Sequence, residues 1–177
     1  MKKSLVLSAL AVALVGGIMA SDASAQNANS FRRFDINWNV LSYSRQGSVD
    51  QYGGTLGFTY HINEKWGLVA DLGHHETSSD LLETTTYRFG PKLSNRVGTR
   101  VKTFGQFLVG GARLTVPSVG SANGFSMLMG GGVDIGIKPW FALRAIEGGY
   151  SGIHLRAAGW SNALRLSGGV FFRFGEE

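Results

Sequence analysis

Beyond residue 33, apolar and polar residues alternate with a period of two in short runs bounded by turn-forming residues. That period is the signature of half-buried β-strands rather than helices. From Phe34 to Tyr43, Phe34, Ile36, Trp38 and Val40 alternate with Asp35, Asn37 and Asn39. From Tyr52 to His61, Gly54, Leu56, Phe58 and Tyr60 alternate with Thr55, Gly57, Thr59 and His61. A third strand sets Trp66, Leu68, Ala70 and Leu72 against Gly67, Val69, Asp71 and Gly73. A fourth sets Thr85, Tyr87, Phe89 and Leu93 against Thr86, Arg88, Gly90 and Lys92. Pro91 cannot donate to a ladder, which predicts a bulge or strand end there. Val101 to Leu114 is a fifth strand with its faces open: Phe104, Gln106 and Leu108 compete with Phe107 and Val109 for the outer side. In the sixth, Phe125, Met127, Met129, Val133 and Ile135 oppose Ser126, Gly130, Gly132 and Asp134. The seventh runs from Trp140 to about Tyr150.

The eighth strand, Ala163 to Phe174, carries the sharpest pattern. Leu164, Leu166, Val170, Phe172 and Phe174 fall on one parity, and Arg165, Ser167, Gly169 and Arg173 on the other. An apolar face about ten residues long, ending in aromatics and backed by a charged face, suits lipid outside and a polar lumen inside. The spacing predicts an eight-stranded antiparallel up-and-down transmembrane β-barrel. Connections are expected to be short at Ile62–Lys65 and Lys138–Pro139 and moderate at Ser94–Arg100. They are expected to be longer at Ser44–Asp50, His74–Thr84, Thr115–Gly124 and Ser151–Ser161, none beyond roughly a dozen residues. Long loops on one rim and short turns on the other are a property of outer-membrane barrels, and an even strand number puts both termini on the periplasmic rim.

The N-terminal segment changes the compartment. Lys2 and Lys3 precede an apolar run from Leu5 to Ile18, and Ala23-Ser24-Ala25 matches a small-x-small cleavage site. This is the layout of a signal peptide, too short for a spanning helix. Residues 1–25 are expected to be removed, leaving 26–177 as one barrel domain with no C-terminal peptidoglycan-binding domain. The chain has no cysteine, which rules out a lipid anchor, disulfides and a thiolate metal site. Losing Lys2, Lys3 and Asp22 lowers the formal charge by one from +5. That modest excess is compatible with a lipopolysaccharide-facing surface and, without a basic cluster, gives no reason to expect nucleic acid. The chain holds 26 glycines, which suit bends, bulges and close backbone approach in strands.

With these residues in view, the chain resembles the eight-stranded outer-membrane protein A-type β-barrels, and more closely small acidobacterial outer-membrane barrel proteins. The resemblance rests on Arg100 to Arg113, the Arg144 strand ending at Tyr150, and Ala163 to Gly175. It implies an aromatic at the end of the last strand that the barrel-assembly machinery recognises, a role for Phe172 and Phe174. The sequence departs from the common form in that Gly175-Glu176-Glu177 follow. Such a family is defined by fold, and a function does not come with it.

Three sets of residues invite chemistry. His74-His75 beside Glu76 and Asp80 suggests a metal, but adjacent histidines on a strand point to opposite faces, and a polar loop mouth is the preferred reading. Ser161-Asn162-Ala163 resembles the start of the last strand in lipid A deacylases, whose serine works with a histidine base. The matching position is Gly159, and without that base a hydroxyl is a weak nucleophile; His154 would serve only by an unusual loop path. The third set is the inward charges. Asp35, Asp71 and Asp134 share the lumen parity with Arg88, Arg144, Arg165 and Arg173. An eight-stranded lumen is just wide enough for side chains to fill, so these charges must pair; a plug of salt bridges is preferred over an ion gate. Asp35 is expected within reach of an arginine on strand eight. Arg144 and Glu147, three apart, point the same way only if a β-bulge lies near or just before Gly148-Gly149. Trp38, Trp66, Trp140 and Trp160, with Tyr43, Tyr60, Tyr87 and Phe174, are read as interfacial girdles near strand ends. Phe171, on the lumen parity, is read as packing.

The pattern thus points to a non-enzymatic integral barrel of the bacterial outer membrane, with a structural or surface-interaction role and no wide pore. Its expected partners are outer-membrane lipid and lipopolysaccharide, and the barrel-assembly machinery during insertion; no cofactor or metal is expected. The alternatives are a secreted soluble barrel binding an apolar ligand, which would invert the two faces, and a lipid-modifying outer-membrane enzyme.

Overall fold

A computed structural model describes residues 32–46, 48–77, 82–117, 120–155 and 159–176. The expected signal peptide lies outside the described residues. Eight strands follow in chain order: β1 (Arg32–Gln46), β2 (Val49–His61), β3 (Trp66–Thr77), β4 (Glu83–Arg96), β5 (Val101–Val116), β6 (Gly120–Lys138), β7 (Phe141–Leu155) and β8 (Gly159–Glu176). Each pairs antiparallel with its neighbours in sequence, and β1 closes on β8. Closure leaves no unpaired edge, the condition for β-structure to cross a bilayer.

The period-two pattern becomes two surfaces. Along β3 exposed and buried residues alternate from Trp66 to Glu76. The exposed set is apolar: Leu72, Phe89 and Met129 stand outward, and Leu164 is 65% exposed. The buried set is mostly polar, with Asp134 and Arg165 at 1% and 2%. In water this distribution would expose the apolar surface and bury charge, and both cost free energy. Across a bilayer it is the stable arrangement. The soluble-barrel alternative, with apolar side chains inside, is overturned by it.

Several local expectations change. The stretches expected as long loops are largely strand. β1 and β2 run to Gln46 and from Val49, β3 to Thr77 and β4 from Glu83. β5 and β6 likewise close over Thr115 to Gly124, and β7 and β8 over Ser151 to Ser161. Polarity there reports water or headgroups on the outer face, not loss of pairing, so the ladder continues past the apolar band. The expected contrast in loop length between the rims is correspondingly absent. Pro91 makes no bulge. It sits opposite Leu68, and the β4–β5 register is the same at Phe89↔Val109 and Lys92↔Gln106, so the missing N–H is absorbed without a shift. The open faces of β5 resolve: Phe104, Gln106 and Leu108 are buried inside and Phe107 is exposed outside. Trp38 and Tyr87 lie within the wall rather than at strand ends, in one cross-strand row Trp38↔Leu56↔Leu72↔Tyr87.

Bulges set which side chains meet in the lumen. The register of β7 shifts between Arg144 and Glu147. Ala145 and Ile146 turn outward and both charges turn in, so the bulge lies just before Gly148. A second bulge, in β1 between Asn39 and Ser42, switches the inward parity from Asp35, Asn37 and Asn39 to Ser42 and Ser44. Facing Glu147, the wall is paved with glycine. A Cβ on Gly132 would lie 3.0 Å from both Glu147 Cα and Phe104 Cε1, and one on Gly130 would lie 2.8 Å from Gly149 Cα. Any larger residue at these positions would collide with the β7 backbone, and at Gly132 with the Phe104 ring as well.

Candidate functional site

Among the described residues the lumen gathers most of the buried charged side chains, and its side chains form three tiers. The tier nearest the termini is a stack of cations and rings. Phe104 of β5 and Phe171 of β8 are buried. Lys92 Nζ lies 4.3 Å from the Phe104 centroid and 5.2 Å from that of Phe171. Arg144 Cζ lies 4.3 and 5.3 Å from the same rings, and Arg173 Cζ 5.4 Å from Phe171. Aromatic faces attract cations, more strongly where water is excluded. Asp35 Oδ2 is hydrogen-bonded with His61 Nε2, and Asp35 stands directly across the β1–β8 pair from Arg173.

The middle tier is a continuous chain of alternating charge. Arg144 Nε and Nη2 donate to Asp134 Oδ1 and Oδ2 at 2.9 and 3.3 Å. Its Nη1 donates to Glu147 Oε2 at 2.7 Å. Arg165 donates through Nη2 to Glu147 Oε1 and through Nη1 to Asp71 Oδ1 at 3.4 Å. Arg88 Nη2 meets the same Asp71 oxygen at 3.3 Å. The order Asp134–Arg144–Glu147–Arg165–Asp71–Arg88 runs from β6 through β7 and β8, then crosses the lumen to β3 and β4. Neutral donors complete Glu147: Gln106 Nε2 at 3.1 Å and Asn39 Nδ2 at 3.3 Å. Asn39 also donates to Thr55 Oγ1 at 2.9 Å. Three cations balance three anions here, the condition under which buried charge is tolerated.

The third tier, toward the other rim, is neutral and hydrogen-bonded. Ser42 Oγ pairs with His75 Nε2 at 2.8 Å, Gln51 Nε2 donates to Thr84 Oγ1 at 3.0 Å, and Arg88 Nη1 donates to Ser151 Oγ at 3.1 Å. A cavity of about 20 Å³ lies among His75, Arg88, Ser151 and Arg165, room for about one water molecule. Val69, Leu108 and Leu128 form a small apolar cluster.

All seven lumen charges named from the sequence face inward, six of them buried and Arg173 half-buried. The structure joins Asp71, Asp134, Arg88, Arg144 and Arg165 in one chain and places Asp35 and Arg173 apart, near the termini. Glu147, which holds the chain together, was reachable only through the bulge. Lys92 and His61 were legible on the lumen parity but not singled out as charges, and His75 is inward because its neighbour His74 is outward.

Other candidates separate. Ser161 stands across from Ile153 and lines the lumen cavity, whereas His154 stands across from Trp160, its ring 5.1 Å from the indole. A serine and a histidine on opposite faces of the wall do not form a nucleophile–base pair. Among the described residues no group of three His, Asp or Glu is placed to hold a metal. At the last strand's end Phe174 is exposed on the outer wall, and Phe172 stacks on Trp140 at 6.4 Å and 11°.

No protein-family model matches the chain, and no curated protein matches it in sequence. Solved structures match in shape. Neisserial surface protein A aligns with a TM-score of 0.62 at 14% identity, over 82% of this chain and 99% of that one. OprG of Pseudomonas aeruginosa aligns with a TM-score of 0.52 at 10% identity, over 82% and 97%. Ail, the attachment invasion locus protein of Yersinia pestis, aligns with a TM-score of 0.50 at 18% identity, over 80% and 97%. The chain is similar to these in fold: it is a small, closed, eight-stranded antiparallel barrel of the bacterial outer-membrane type, with an apolar outer wall and a lumen lined by charged side chains.

Proposed function

We propose that the protein is a non-enzymatic integral outer-membrane barrel with a structural or surface-interaction role and no wide water path. The observation that carries this reading is the charge chain from Asp134 to Arg88, which crosses the lumen with each carboxylate bonded to guanidinium groups. Breaking such a chain to admit ions would expose unpaired buried charge, at a cost of about 3–5 kcal/mol per partner removed. The cation–aromatic stack closes the lumen again below it. Two structures of the same fold are named as a surface protein and an attachment invasion protein, which agrees with a surface role. The proposed partners are outer-membrane lipid and lipopolysaccharide, and the barrel-assembly machinery, with Phe172 and Phe174 as its signal. The test is conductance in planar bilayers, from preparations free of contaminating porins. No steady nanosiemens-scale current is expected, and such a current would overturn the closed-lumen reading.

A further inference from the structure

The two rims of the barrel differ in charge. At the rim that carries the termini, Arg33 lies at the start of β1, Lys65 in the β2–β3 turn, Arg96 at the end of β4, Arg100 in the β4–β5 turn and Lys138 at the end of β6. All of these are exposed, and Lys102 and Arg173 stand half-buried inside the mouth. Of the acids described in this half, Asp35 and Asp134 are buried in the lumen and Glu64 is exposed. Glu176 stands across β1–β8 from Arg32, so that pair offsets itself. Among the described residues the opposite rim sets Arg45 and Arg113 against Asp50, Glu76 and Glu83. The turns gather the cations. Asn63 Oδ1 accepts from Lys65 N at 2.9 Å and Trp66 N at 2.8 Å. Ser94 N donates to Lys65 O at 2.7 Å, laying that turn beside the end of β4 that carries Arg96. Gly136 N donates to Arg100 O at 2.7 Å, laying the next turn beside the end of β6 that carries Lys138. Bordering these cations, the apolar wall ends in the exposed Phe34, Tyr60, Trp66, Trp140 and Phe174, and Lys138 Nζ lies 5.6 Å from the Trp140 ring centroid.

We infer that this basic rim docks on anionic phospholipid headgroups, of the phosphatidylglycerol class, in the periplasmic leaflet. The inference rests on the membrane reading above, which puts the termini on that side. Interfacial aromatics sit at headgroup depth, so cations bordering them stand level with the lipid phosphates. A long basic side chain lays its stem on apolar surface and carries its charge into the polar layer, as Lys138 does over Trp140. A cluster of such charges attracts an anionic leaflet, and the attraction fades beyond a Debye length. A zwitterionic headgroup also offers a phosphate, but it brings its own ammonium to a rim already rich in cations. A partner away from the membrane, such as an acidic protein or the cell wall, would give no reason for the charges to follow the aromatic row, and it predicts no preference among lipids.

Brominated lipids test this in vesicles of phosphatidylcholine with phosphatidylglycerol as the minor part, the bromine placed on one lipid or the other. Two single-tryptophan forms of the full chain, their other tryptophans replaced by phenylalanine, report the two rims: Trp140 lies at the terminal rim and Trp160 at the opposite one. Per lipid present, brominated phosphatidylglycerol is expected to quench Trp140 about threefold more effectively than brominated phosphatidylcholine at low salt. The excess should fall toward equality at high salt, be absent at Trp160, and shrink in the K65Q/K138Q variant. Native mass spectrometry of the refolded parent chain makes the same comparison without any variant, and phosphatidylglycerol adducts should exceed those of phosphatidylcholine with identical acyl chains. Equal adducts of the two lipids on the parent chain, the same quenching excess at Trp160 as at Trp140, or an excess unchanged in K65Q/K138Q would overturn the inference. Quenching of neither tryptophan by either lipid would instead sink the membrane reading beneath it.

Discussion

Replacing Glu147 by glutamine removes one anion from the middle of the lumen while keeping its shape. Glu147 is 2% exposed and accepts from Arg144, Arg165, Gln106 and Asn39. In the E147Q chain three arginines face two carboxylates. Arg144 keeps Asp134, and Arg165 keeps only its 3.4 Å bond to Asp71, which it shares with Arg88. Leaving a buried charge without its partner costs about 3–5 kcal/mol. The compensating variant is E147Q/R165M, which returns the tier to two cations and two anions: Asp134 with Arg144, and Asp71 with Arg88. Replacing a buried ion pair by neutral groups of similar volume is often close to neutral, so the double variant is expected to recover most of the loss. The assay is urea unfolding from phospholipid vesicles, read by tryptophan fluorescence and by heat-dependent gel mobility. A double-mutant cycle with coupling of about 2–3 kcal/mol is expected. E147Q within about 1 kcal/mol of the parent, or a double variant less stable than E147Q alone, would refute the charge-balance reasoning.

Other expectations follow from the same geometry. Deleting Ala145 removes the extra residue of the β7 bulge and leaves Arg144 and Glu147 two apart, both inward on a regular strand, so the heat-modifiable barrel is expected to form; a chain that fails to insert would show that the bulge itself is required. Phe171→Ala opens a cavity in the cation–aromatic stack and is expected to cost about 3–5 kcal/mol in the same unfolding assay. Phe174→Asp, on the exposed end of β8, is expected to lower the amount of membrane-inserted protein in cells. Unchanged envelope levels would leave Phe174 as a girdle residue only.

The bilayer made much of this fold readable. Lipid demands a strict period of two, so Phe34 to Trp38, the sixth strand and Leu164 to Phe174 declare their faces without any tertiary information. The β7 bulge was readable for a related reason, since Glu147 in lipid would be costly and Arg144 lies three residues before it. The β1 bulge left a signal too, in the switch of apolar parity from Trp38 to Leu41 and Tyr43, but Val40 hides it by continuing the first pattern. Strand five could not be assigned from sequence because Phe104 and Phe107 are equally apolar. Phe104 is inside because Lys92 and Arg144, from two other strands, rest on its ring, a fact with no local trace. Polar stretches such as His74 to Thr77 read as loop because composition cannot separate an unpaired backbone from a ladder standing beyond the apolar band. The same limit hid the outer-wall row of Gly54, His74 and Thr85, which only the register sets side by side.

The central claim is that the apolar parity faces lipid and the charged parity is sealed inside. Its most direct test is quenching of single-tryptophan variants in vesicles by brominated acyl chains and by aqueous iodide. Trp38, within the wall and 55% exposed on its outer face, should be quenched by bromine deep in the chain and spared by iodide, whereas Trp66 and Trp160, at strand ends, should respond to bromine near the headgroup. Quenching of Trp38 by iodide with no response to brominated chains, or native-like fluorescence from a chain folded in buffer without lipid or detergent, would contradict it.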